Sequence, residues 1–144
     1  MRQAGILCHL TSLPSQTLGA DAHQFCRLLS DIGCGVWQML PLTPPDEHGS
    51  PYASHSAFAI WNGFRDPEMH YRLNYESEEG WIDKNRHWLE DYALFEVLKY
   101  QLDGLPWTQW PAPLRNREPE AIKGIIDELS GSIGKWMEEQ FILK

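Results

Sequence analysis

Along the chain the apolar positions change period several times. Gly5 to Leu10 form a short apolar run that Thr11, Ser12, Leu13 and Pro14 bring to a stop, which predicts a buried strand followed by a turn. Ala22, Phe25, Cys26, Leu29 and Ile32 then recur at helical spacing, and Gly33 stands where a helix-terminating glycine belongs. A second apolar run, Gly35 to Leu42, breaks at Pro41 and predicts another strand. Strand, helix and strand in so short a span is a βαβ unit, with parallel pairing and a right-handed crossover.

From Thr43 to Tyr52 the chain is rich in Pro, Gly, Asp, Ser and His, so a long loop leaves the carboxyl end of the second strand. In parallel α/β architectures that end is where ligands bind. Ser54 to Phe64 has no clear period, and Arg65 to Asp83 is polar with scattered aromatics, which predicts mostly loop. Trp88, Leu89, Tyr92, Phe95, Val97, Leu98 and Leu102 predict a helix with a wide apolar face that Gly104 stops. Leu105 to Arg115 reads as a proline-punctuated connector whose Trp107 and Trp110 form either an exposed platform or, as the prolines on both sides favour, packed clamps. Pro119 suits a first helical position, and Ile122, Ile125, Ile126 and Leu129 follow at i, i+3, i+4 and i+7. Ser130 and Gly131 interrupt that helix; Ile133, Trp136, Met137 and Phe141 resume it to the end. There is no internal repeat and no low-complexity segment.

Composition narrows the function classes. A chain of 144 residues with 42% hydrophobic and 22% charged residues fits one globular domain with a modest core. The net charge of −8 is spread out and Lys and Arg do not cluster, so nucleic acid and anionic membrane are poor partners. No apolar run approaches the roughly 20 residues of a membrane-spanning helix, and the N-terminus does not read as a signal peptide; a cytoplasmic protein is expected. Cys8, Cys26 and Cys34 form no C-x-x-C pair and read as buried free thiols. The six histidines lack metal-ligand spacing, so neither a metal nor another cofactor is expected. Seven tryptophans suit either buried area or sugar-stacking faces.

Three segments resemble the amylomaltases, the 4-α-glucanotransferases. The first is Gly5-Ile6-Leu7-Cys8-His9-Leu10-Thr11-Ser12-Leu13-Pro14, close to the family's G-[IL]-L-L-H-P-T-S-L-P. The second is Trp37-Gln38-Met39-Leu40-Pro41-Leu42 with Ser50-Pro51-Tyr52 and Ser56-Ala57-Phe58-Ala59. The third is Trp88-Leu89-Glu90-Asp91-Tyr92-Ala93-Leu94-Phe95 with Leu105-Pro106-Trp107 and Trp110-Pro111. Their order and content together make the resemblance specific, and it covers nearly the whole chain.

The resemblance implies an α/β fold: an incomplete (β/α) barrel fragment holding the first two, parallel, strands, with a mostly helical C-terminal half. Residues 1–59 would form the first βαβ unit and its loop, and residues 60–144 a reduced helical subdomain. The family's reaction is retaining transfer of α-1,4-glucan, which uses one carboxylate as nucleophile and a second carboxyl as acid and base. In the family both come from later strands, and none of this chain's carboxylates corresponds to them, so no catalytic residue is assigned. The site positions that carry over lie at the barrel mouth. Tyr52 matches the tyrosine that flanks the sugar beside the scissile bond and Ser50 the polar residue next to it. His9, at the end of the first strand, faces either the pocket or a hydrogen-bonded place in the barrel floor. The expected partner is an α-1,4-glucan or maltooligosaccharide, bound weakly.

The departures from the family pattern also inform the reading. The loop after Pro14 is shortened, Asp46-Glu47-His48 stands where the family has a tyrosine-bearing turn of a secondary glucan site, and the stretch from Ala59 to Trp88 lacks a long insertion. Unpaired edges of two parallel strands predict self-association. A non-catalytic glucan-binding or accessory module is the alternative. A hydrolase built on Asp46 and Glu47 is disfavoured, because neighbours in a loop seldom converge on one atom.

Overall fold

The computed structural model describes residues 3–68 and 77–144. The chain divides into two compact units, the first comprising residues 1–73 and the second nearly all the rest.

In the first unit β1 (Gly5–Leu7) pairs in parallel with β2 (Val36–Gln38), Gly5 opposite Val36, Ile6 opposite Trp37 and Leu7 opposite Gln38. The N–H of Cys8 extends the ladder to the carbonyl of Gln38 at 3.0 Å. Both strands are shorter than their apolar runs, because the first is drawn off into a 3-10 turn at Leu10–Ser12 and the second meets Pro41, which cannot donate to a ladder. Helix α1 (Ala20–Asp31) links them. It ends as its sequence predicts: Gly33 has φ +76°, its N–H reaches the carbonyl of Ser30, and the N–H of Cys34 reaches that of Leu29 at 2.8 Å. This paired closure is the Schellman motif.

Leu10, Leu13, Ala22 and Phe64 form the centre of this unit, with Phe25, Trp37, Leu42 and Ile60 packed around them. Trp37 meets Phe25 edge-on at 4.9 Å and donates its indole N–H to the carbonyl of Cys8 at 2.7 Å. Cys26 departs from expectation: it is exposed, while Cys8 and Cys34 are half-buried. The inward stripe of α1 is Ala22, Phe25 and Leu29; Cys26 lies at its edge, and Leu28 and Ile32 face outward.

The second unit is helical. Helix α2 (Glu78–Gln101) starts well before the apolar pattern does, so part of the stretch predicted as loop is helix. Ser77 caps it, accepting from the N–H of Gly80 at 3.2 Å, and Glu78 and Glu79 sit in the first turn, where the helix dipole favours acids. At the other end Asp103 (φ +51°) and Gly104 (φ +76°) both adopt left-handed backbone, and the N–H of Gly104 closes on the carbonyl of Lys99. A 3-10 turn (Trp107–Gln109) and the four-residue α3 (Ala112–Arg115) form the connector. Helix α4 (Pro119–Leu143) begins at its proline and is broken by a kink at Leu129 (φ −107°, ψ 15°), one residue before the predicted interruption at Ser130 and Gly131. Ala93, Leu94, Val97, Leu98, Trp110 and Ile133 make the core, which joins α2, the connector and α4. Trp88 is also buried. No described helix is long and apolar enough to cross a membrane.

Candidate functional site

The parallel pairing of β1 and β2 brings both carboxyl ends, and the segments that leave them, to the same side of the first unit. A cleft of about 260 Å³ opens there. His9, Thr11 and Ser12 line it from the exit of β1, Thr43 and Gly49 from the exit of β2, Phe64 from the later 3-10 turn (Asn62–Phe64) and Trp61 from the residue before that turn. The aromatic wall is ordered by edge contacts: His9 on Phe64 at 5.7 Å and 79°, and Trp61 on Phe64 at 5.0 Å and 84°. Gly63 allows this, since a Cβ there would come within 2.6 Å of the Trp61 ring.

His9 is the titratable side chain among the described residues that line the cleft. Its Nδ1 is buried and has no hydrogen-bond partner among the described residues. Burial pushes its pKa below the ordinary 6.5, because the imidazolium loses hydration and gains no anion. The ring is therefore neutral at neutral pH, and its unpaired nitrogen costs on the order of 1–3 kcal/mol until something hydrogen-bonds to it. The expected alternative of a hydrogen-bonded floor histidine is not what the Nδ1 geometry gives.

Ser50 and Tyr52 lie on the same loop but do not themselves line the cleft; their neighbours Gly49 and Pro51 do. The phenol of Tyr52 stands out, 75% exposed. The loop is organised by Asp46, whose Oδ1 accepts from the N–H groups of His48 (3.0 Å) and Ser50 (2.8 Å). The N–H of Gly49 returns to the Asp46 carbonyl at 3.0 Å, with Gly49 at φ +77°. The Tyr52 N–H reaches the Ser50 hydroxyl at 3.4 Å. Asp46 is thus an Asx-turn organiser, a role its place ahead of a His-Gly-Ser run signals. Trp61 and Phe64 reach the cleft from a stretch without a period, so no spacing in the sequence marks them as cleft residues.

The cleft offers hydroxyls, an unpaired ring nitrogen and aromatic faces, a set suited to a neutral hydroxylated ligand. Among the described residues no carboxylate lines it. Among the described residues no group of three His, Cys, Asp or Glu side chains could hold a metal ion.

A family model described as 4-alpha-glucanotransferase matches residues 8–79 and 70–144. The 4-alpha-glucanotransferase of Aquifex aeolicus is 31% identical over 185 residues, an alignment taking in 99% of this chain and 38% of the relative. That of Thermus thermophilus is 34% identical over 168 residues, covering 85% of this chain and 34% of the relative. The chain therefore spans little more than a third of the length of the curated relatives it matches. The first alignment is longer than the chain itself, so that relative carries segments this chain lacks. Among solved structures, an amylomaltase from Streptococcus agalactiae in complex with acarbose superposes with a TM-score of 0.85 at 23% identity, over 99% of this chain and 39% of that one.

Proposed function

We propose, from the premise that this chain belongs to the 4-alpha-glucanotransferase family and corresponds to its N-terminal part, that it furnishes one wall of an α-1,4-glucan site and is catalytically inactive alone. In this reading β1 and β2 are the opening pair of a (β/α)₈ barrel, and the cleft at their carboxyl ends is the mouth of that barrel. Tyr52 offers a ring face to a sugar, Ser50 a hydroxyl, and His9 the nitrogen that lacks a partner. The observation that carries the reading is the cleft at the paired strand ends, with the orphaned His9 Nδ1 in its wall. The acarbose bound by the structurally similar amylomaltase supports an oligosaccharide-like ligand.

Inactivity follows from the lining. Retaining transfer needs two carboxyl groups about 5–5.5 Å apart, and the described residues of the cleft wall contain none. The same absence favours the second reading, a non-catalytic glucan-binding or accessory module. Exposed Leu7, Val36, Leu28 and Ile32 on the strands and on α1 support self-association in either case.

Two measurements test this. Incubated with maltotriose, the purified chain should yield no glucose and no longer maltodextrins; products that scale with protein and survive repurification would refute the claim of inactivity. Titrated with maltotetraose, it should show amide shifts at Ser50 to Tyr52 with millimolar or weaker affinity, lost in Tyr52→Ala. One stacked ring contributes only about 0.5–1.5 kcal/mol beyond area burial, and association itself costs several kcal/mol. Shifts at Ser50 to Tyr52 that persist in Tyr52→Ala would show that the Tyr52 ring does not hold the sugar there.

A further inference from the structure

We propose that the helical unit carries a separate carbohydrate contact, a cleft beside Trp107 that takes one or two rings of a neutral α-linked glucosyl ligand. The choice of sugar rests on the glucan-binding reading above; the site itself rests on different residues. The cleft measures about 290 Å³ and lies among α2, the connector and the start of α4. That is near the low end for ligand pockets, ~300 Å³ upward, and too small for a long glucan.

Its floor is rigid. Trp110 is buried, donates its indole N–H to the carbonyl of Leu105 at 2.7 Å, and lies against Phe95 at 5.4 Å with a 31° tilt. The rim is different. Trp107 is 56% exposed, and its indole N–H has no acceptor among the described residues. Among the described residues the guanidinium of Arg115 makes one bond, to the carbonyl of Thr108 at 3.2 Å, which leaves most of its five donors without an acceptor there. Arg117 is held by Asp91.

An apolar floor with unengaged donors at its edge matches a pyranose, whose C–H face packs on a ring while its hydroxyls accept from the rim. A purely apolar occupant would use only the floor. An anion is disfavoured, because Arg117 is already neutralised and the chain carries a net charge of −8.

The test follows the indole N–H resonance of Trp107, assigned by its loss in Trp107→Phe, while maltotriose is added to the full chain. It should shift saturably in the millimolar range. Trp107→Ala should weaken the saturable shifts of the neighbouring Trp110 indole by about tenfold, and Arg115→Ala by several-fold. Both side chains are exposed, so melting should be unchanged. Tyr52→Ala should leave these shifts intact. No saturable shift at Trp107, or one reproduced by 4-phenylbutyrate and not by maltotriose, overturns the inference. Shifts at Tyr52 alone would sink this site and spare the first; shifts at Trp107 alone would do the reverse.

Discussion

Asp66 places its carboxylate where a side chain at Gly19 would have to stand. Thr17 donates its hydroxyl to Asp66 Oδ2 at 3.2 Å, and the N–H of Leu18 reaches the carbonyl of Phe64 at 2.8 Å, so the segment entering α1 is held against the Asn62–Phe64 turn that walls the cleft. Even a methyl at Gly19 should force the two apart. Gly19→Ala is expected to cost about 1–3 kcal/mol in urea unfolding, the usual range for overpacking. Combined with Asp66→Gly the cost should be less than additive, since the obstructing group is gone; strict additivity would show that the two residues do not meet.

The His9 ring gives the fold a pH dependence of known sign. Its pKa is lowered in the folded protein, so between that value and 6.5 the unfolded chain binds more protons than the native one. The His9 contribution is therefore complete above pH 6.5 and is lost as pH falls through the lowered value. Denaturation midpoints recorded from pH 8 down to pH 5 should drop, and His9→Gln should flatten that drop. An unchanged slope would rule out His9 as its source.

Asp46 should control the posture of Tyr52 without controlling the fold. Asp46→Ala removes the one oxygen that accepts from two N–H groups in this loop, two hydrogen bonds each worth roughly 0.5–1.5 kcal/mol locally. Amide exchange at His48 and Ser50 should quicken by about tenfold while the global melt moves little. Asp46→Asn keeps a side-chain oxygen and should stay close to the parent protein. Equal exchange in all three would mean that the loop is held by something else.

The parts of the structure legible in the sequence are those whose determinants are local. The closure of α1 at Gly33 needed only a glycine after an apolar stripe, and Pro119 marked the start of α4. The start of α2 was missed because its first two turns carry few apolar residues; Ser77 with Glu78 and Glu79 was the available sign, and it is a capping sign rather than a periodic one. The strand lengths were overestimated because apolar runs do not show where a ladder ends. Cys26 went astray because one step around a helix separates a buried position from an exposed one. At the cleft His9, Ser50 and Tyr52 came from motif, but Trp61 and Phe64 reach it through tertiary packing that no spacing announces. The division between Trp107, exposed, and Trp110, buried, is likewise set by packing on α2 and not by the prolines around them.

The bonds that shape the Asp46 loop all begin and end between residues 46 and 53. A form written over so few residues is inherited with them and depends little on distant neighbours. Evolution can then redesign, shorten or discard other regions of such a protein while this loop of polar residues goes on holding an aromatic ring out to the solvent. The same economy makes the stretch portable: set between two parallel strand ends of another scaffold, it should bring its tyrosine with it.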